Sequence, residues 1–165
     1  MRVQTPASDP APAGLRIGHV HLKVADLNRA IAFYSGVIGL DVVQRYGPGA
    51  AFLSAGGYHH HLGLNTWSSP GGTPPPSGHT GLSHTAFLYP TRADLGAALR
   101  RVETAGIALD GSADHGVSAA LYLRDPDENG VELYWDKPRE DWPLGADGVL
   151  KMVNAPLDLE ALRAA

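Results

Sequence analysis

Two stretches of this 165-residue chain carry the same order of elements. Leu15–Val24 alternates apolar and polar residues in the manner of a strand. Asp26 or Asn28 can cap the helix that follows, which places Leu27, Ala30, Ile31, Phe33 and Tyr34 on one face and ends at Gly39. Three β-like pieces come next, Asp41–Tyr46, Ala51–Leu53 and His59–Asn65, parted by glycine turns. Residues 68–81 (SSPGGTPPPSGHTG) suit neither helix nor central strand and read as a linker. The order then recurs. Ser83–Tyr89 is strand-like. Arg92–Ala105 is helical, with Leu95, Leu99 and Val102 on one face and Gly106 at its end. Strand candidates follow at Ile107–Leu109, Ala119–Leu123 and Gly130–Tyr134. His19 and His84 fall at matching places, 65 residues apart. Neither half can bury a sheet face alone, whereas two together can. The expected class is α+β, built from paired βαβββ modules. The expected organisation is a flexible lead over residues 1–14 and a single domain over 15–136. That domain divides into module 1 (15–67), the linker (68–81) and module 2 (82–136). A tail over 137–165 ends in a short helix near Leu157–Ala164, placed to pack on the domain or on a partner subunit.

Composition narrows the chemistry. The chain has no cysteine and eight histidines, so thiolate zinc sites, iron–sulfur clusters, disulfides and cysteine nucleophiles are excluded. Any metal must rest on His, Asp and Glu. A formal net charge of −4 with no basic tract argues against nucleic acid and anionic membranes as partners. No apolar run approaches the ~20 residues that span a bilayer. The opening MRVQTPASDPAPAG lacks the apolar region of a signal peptide, so a cytoplasmic location is expected.

Repeated strand-opening histidines put His19 and His84 near a pseudo-two-fold axis. His21 shares the face of His19, and spacing alone does not choose between them. In DPDENGVELYW, alternation puts Glu132 and Tyr134 on one face and Val131 and Leu133 on the other. A carboxylate on an apolar strand needs a partner if buried, and a metal is one such partner. Two histidines and one carboxylate form the facial triad of non-haem Fe(II) oxygenases. A lone strand histidine is more often a hydrogen-bonded core or surface residue, so recurrence at equivalent places carries the argument. In the His59–His61 run, alternation would set His59 and His61 on one face and His60 on the other.

HVHLKVADLNRAIAFYSGVIGLDV, GLSHTAFLYP and DPDENGVELYW resemble the vicinal oxygen chelate superfamily, which includes glyoxalase I, bleomycin-resistance proteins and extradiol dioxygenases. The resemblance covers about Leu15–Trp135. It implies a cupped mixed sheet of two βαβββ modules around a metal site, with His19, His84 and Glu132 as ligands. The superfamily register, counted back from Val24, selects His19 over His21. Further residues resemble the catechol 2,3-dioxygenase-like branch. GGYHHHLGLNTW is similar to its G-[RY]-H-H strand and implies an acid/base role for His60. Tyr122 stands ten residues before Glu132, as in that branch, and His115 in SADHGVS stands just upstream. Glyoxalase-type relatives put a fourth ligand on the same strand as the histidine run, which makes His61 a possible fourth ligand. His79, in the linker, is expected to be solvated.

The resemblance implies an Fe(II)- and O2-dependent ring-cleaving enzyme acting on a catechol-like aromatic. His115 and Tyr122 would orient the substrate oxygens, and Phe52, Trp67, Leu123 and Trp135 are candidate wall residues. Two alternatives stay open. One is a glyoxalase- or epimerase-like enzyme using Mn, Ni, Co or Zn. The other is a non-catalytic module that binds a small molecule such as an antibiotic. A homodimer is compatible with either.

Overall fold

The computed structural model describes residues 11–165; the part of the expected flexible lead that covers residues 1–10 lies outside the described residues. Two four-stranded mixed sheets make the frame. The first contains β1 (Val20–Lys23), β2 (Asp41–Tyr46), β3 (Ala50–Ser54) and β4 (Leu62–Asn65), in the order β1-β4-β3-β2. The second contains β5 (Thr85–Leu88), β6 (Gly111–Asp114), β7 (Ser118–Arg124) and β8 (Gly130–Asp136), in the order β5-β8-β7-β6. In each sheet the first strand runs parallel to the last and the other pairs are antiparallel. The repeat seen in sequence is therefore a repeat of topology.

Several strand limits differ from the sequence expectation, and pairing explains why. β1 begins at Val20 rather than Leu15, because its ladder partner β4 offers only Leu62–Asn65. His59–His61 precede β4 in a turn that follows Gly56 and Gly57, both at positive φ, so strand alternation does not govern their side chains. Ile107–Leu109 is not a strand. Ile107 and Leu109 instead pack against the core, and β6 starts at Gly111.

Alternation sorts each strand into a core face and an open face. Val20, Leu22, Ala51, Leu53, Leu62 and Leu64 from the first sheet join Leu121, Leu123, Val131 and Leu133 from the second in one cluster. The helices supply the rest. α1 (Leu27–Phe33) is capped by Asp26, whose carboxylate accepts from Arg29 N–H. It passes into a π-helical turn, Tyr34–Ile38, which ends at Gly39 with φ 95°. α2 (Arg92–Thr104) is capped by Thr91 and buries Leu95, Ala98, Leu99 and Val102. α3 (Leu159–Arg163) is shorter than expected and docks Leu162, fully buried, on α2. Gly96 of α2 allows this approach, since a Cβ there would collide with the Leu162 carbonyl.

Polar bonds lock the modules together. Tyr34 Oη donates to Asp125 Oδ2 at 2.9 Å, both groups being buried. Burial, then the Asp125 charge, pushes the Tyr34 hydroxyl far above the ordinary tyrosine value, so it stays a donor. Asp125 also accepts from Asp127 N, Asn129 N and Asn129 Nδ2. Asp127 reaches back to Arg29 and to Ala25 N. Arg101 of α2 donates to the Val37 and Ile38 carbonyls, two of the acceptors left open where the π-helical turn ends. Periodicity does not single out Asp125 and its partners, although an aspartate opening D-P-x-x-N is the sort of residue that folds a turn around its own carboxylate.

Candidate active site

The open faces of the two sheets carry the candidate residues. In the second sheet, Glu132 on β8 lies between Ala86 of β5 and Tyr122 of β7 in register. His84 immediately precedes β5, and its Nε2 stands 3.0 Å from Glu132 Oε2. Tyr122 Oη donates to the other carboxylate oxygen, Glu132 Oε1, at 3.1 Å. His115 Nε2 lies 2.8 Å from the same hydroxyl. The sequence spacing from Tyr122 to Glu132 is thus a cross-strand pair. Burial, then the Glu132 charge and its hydrogen bond, push the Tyr122 hydroxyl up to about 12, so it carries its proton at neutral pH.

His115 is held from several sides. Its N–H donates to the Ser118 carbonyl across the β6–β7 turn. Asp114 beside it accepts two bonds of 2.7 Å from Lys137 Nζ and one from Gly116 N. Burial opposes ionisation of Asp114, but the bonds from Lys137 and Gly116 outweigh it and hold the carboxyl below its usual range.

In the first sheet, the His19 and His60 rings pack with centroids 4.4 Å apart. His60 Nδ1 faces His59 Nδ1 at 2.7 Å. His61 turns elsewhere, its Nδ1 2.9 Å from Ser54 Oγ and its ring against Tyr58. Partial burial and then the imidazoles of His19, His59, His21 and His61 hold His60 below the ordinary histidine value. His21 is lowered by burial and by His19. The His21 ring lies over Gly63, where a Cβ would sit 2.8 Å from it. His79 in the 68–81 segment is exposed, its Nδ1 bonded to the Pro76 carbonyl.

Two of the four expected wall residues share this face. Phe52 packs at a tilt against His60, ring centroids 5.0 Å apart, and the ring of Trp67, 64% exposed, lies 5.7 Å from that of His21. Leu123 and Trp135 do not. They fall on the core side of β7 and β8, because Tyr122 and Glu132 take the open side and neighbours alternate.

The donor types suit a borderline divalent ion, since imidazole and carboxylate are present without thiolate. His84 and Glu132 converge, and among the described residues the part-buried carboxylate forms no other ion pair. His19 belongs to the other half: among the described residues, no three His, Asp or Glu side chains are gathered closely enough to hold an ion. Backbone packing sets the position of His84. Gly130 lies so close to Ser83 and His84 that a Cβ would strike the Ser83 carbonyl. Gly130→Ala should destabilise the protein by about 1–3 kcal/mol through overpacking. Thermal melting checks this; an unchanged midpoint would mean that the start of β5 moves aside freely.

Paired βαβββ modules with an imidazole–carboxylate pair on the open face define a protein of the vicinal oxygen chelate type. Residues 16–133 match the model of the glyoxalase/bleomycin resistance protein/dioxygenase superfamily, and the chain belongs to that family. It is 42% identical to a catechol-2,3-dioxygenase of Bacillus subtilis over 146 residues, 88% of this chain and 50% of that protein. It is 37% identical to biphenyl-2,3-diol 1,2-dioxygenase 3 of Rhodococcus globerulus, over 73% of this chain and 63% of the relative. The chain therefore spans about half to two thirds of the length of these curated relatives. Among solved structures, a glyoxalase/dioxygenase from Nostoc punctiforme shares the fold with a TM-score of 0.65 at 21% identity, over 81% of this chain and all of that one.

Proposed function

We propose that this protein is an extradiol-type dioxygenase that opens the ring of a catechol-like aromatic, using Fe(II) and O2. The observation that carries the reading is the chain of contacts His84–Glu132–Tyr122–His115 on one open sheet face. The two relatives named for catechol and biphenyl-2,3-diol dioxygenation support it. Residues 15–136 would form a catalytic domain in which the converging pair His84 and Glu132 would hold the metal, with His19, the third ligand the resemblance implies, having to move toward them to join it. Fe(II) in such a set supplies Lewis acidity toward the diol oxygens and the capacity to activate O2.

The protein side of the chemistry follows from the contacts. Tyr122 keeps its proton at neutral pH and can donate it in a hydrogen bond to Glu132 or to a substrate oxygen beside it. His115 orients that hydroxyl. His60, whose basicity is lowered by burial and then by the surrounding imidazoles, is placed to exchange a proton with a bound oxygen. Phe52, packed against His60, offers an apolar surface to an aromatic ring. Tyr122→Phe would remove an outer partner of the carboxylate and should lower turnover or metal affinity by about 10–100-fold; metal titration with steady-state kinetics reads this, and wild-type values for both would remove Tyr122 from the site.

The direct test is to load the protein anaerobically with Fe(II), admit air, and follow a panel of catechols by O2 uptake and by the yellow absorbance of a ring-fission product. O2 consumption matched to yellow product is expected. Neither signal with any catechol would overturn the reading.

A further inference from the structure

We propose that the segment Lys151–Ala155 is a strap that positions the active site, and that the Val153 carbonyl fixes the proton of His115 on Nδ1. The strap lies far from His115 in sequence but runs beside it in space. Asp114 and Ala155 exchange both backbone bonds, each 2.9 Å, as an isolated antiparallel bridge. Val153 N donates to the His115 carbonyl at 3.0 Å, and Lys151 N donates to the Pro143 carbonyl at 2.9 Å. A side-chain contact completes the set: His115 Nδ1 is 3.1 Å from the Val153 carbonyl.

That contact has one chemical sense. A carbonyl only accepts, so Nδ1 must carry the proton and donate. The other nitrogen, Nε2, meets the Tyr122 hydroxyl at 2.8 Å, and that hydroxyl has a single proton to give to Nε2 or to Glu132 Oε1. The second nitrogen of a histidine sets what the first can do. Here the strap supplies that second partner. Packing leaves the turn little freedom. Gly116, at φ 78°, has Pro143 and Val153 so close that a Cβ would stand 2.8 Å from one and 3.2 Å from the other. Lys137 clamps Asp114 from the sheet. Downstream, α3 anchors the end of the chain through buried Leu162. Val153 is thus a positioning residue acting through its backbone carbonyl.

What Nε2 does in turnover rests on the dioxygenase reading; where the His115 proton sits does not, so the test separates the two. The protein is labelled with 15N and loaded with Zn(II), which keeps the spectrum diamagnetic, and the imidazole nitrogens are correlated with the ring protons. His115→Gln assigns the His115 signals by their loss. The proton is expected on Nδ1 in the wild type. Ala155→Pro removes the N–H that bonds Asp114 while leaving α3 in place. It should mix the tautomers of His115 and lower kcat on the catechol substrate by about 10-fold or more, with KM changed less. An Nδ1 without a proton in the wild type overturns the proposal, as does an Ala155→Pro protein with wild-type Nδ1 protonation and kcat. An Nδ1 proton that is lost in Ala155→Pro, in a protein inactive on every catechol, upholds the strap and overturns the dioxygenase reading alone.

Discussion

On the proposed dioxygenase reading, Glu132→Ala should bring bound Fe(II) well below stoichiometric and abolish ring cleavage. The carboxylate is the point at which the site contacts meet, with His84 on one oxygen and Tyr122 on the other. Removing it takes the anionic donor from the set and leaves His84 and Tyr122 without their shared partner. The loss should exceed the roughly 10–100-fold that removing an outer partner costs. β8 should survive, because Val131 and Leu133 on its other face hold it in the core. The melting temperature of the metal-free variant should therefore stay near that of the metal-free wild type. Metal analysis after gel filtration decides the matter; an unchanged iron content would mean that the carboxylate ligand lies elsewhere.

The second large effect is on stability. Asp125→Ala should remove the acceptor of four hydrogen bonds in a buried position, one of them from the fully buried Tyr34 hydroxyl of the other module. A buried donor left without a partner costs about 1–3 kcal/mol, and several are orphaned together. A total of about 3–5 kcal/mol is expected, the size seen when a buried polar network is broken. At ~2–4 °C per kcal/mol for a chain of this length, the melting temperature should fall by roughly 6–20 °C. Tyr34→Phe offers the matching control. It removes donor and hydroxyl together and leaves Asp125 its bonds to Asp127 and Asn129, so its cost should be clearly smaller. Equal losses in the two variants would place the stabilisation in the tyrosine rather than in the Asp125 turn.

Much of the frame was legible because it is local. The Asp26 cap bonds three residues ahead, and Gly39 and Gly106 end their helices at positive φ. The ten-residue separation of Tyr122 and Glu132, picked out by the family resemblance, is a register across the β7–β8 hairpin that residues 125–129 close. The faces of β8 followed from alternation, with Glu132 open and Leu133 in the core.

Other features depended on distant partners. β1 stops where β4 stops, and nothing within residues 15–24 records the length of β4. The three histidines have the pattern of a strand opening, yet β4 begins only at Leu62, and they occupy a turn instead. Leu123 and Trp135 are apolar and near the site in sequence. The face of each is set by its position relative to Tyr122 and Glu132, which places Leu123 in the core and Trp135, partly buried, against it.

Residue order alone establishes the repeated module, the absence of thiol chemistry and the stock of imidazole and carboxylate donors, because periodicity and composition report each segment's own needs. Which donors meet was decided by tertiary structure. His84 reaches Glu132 only because β5 lies parallel to β8, and His115 takes its orientation from a carbonyl 38 residues away. Those contacts depend on chain closure over long separations, where backbone groups without sequence signature, such as the Val153 carbonyl, do as much as side chains.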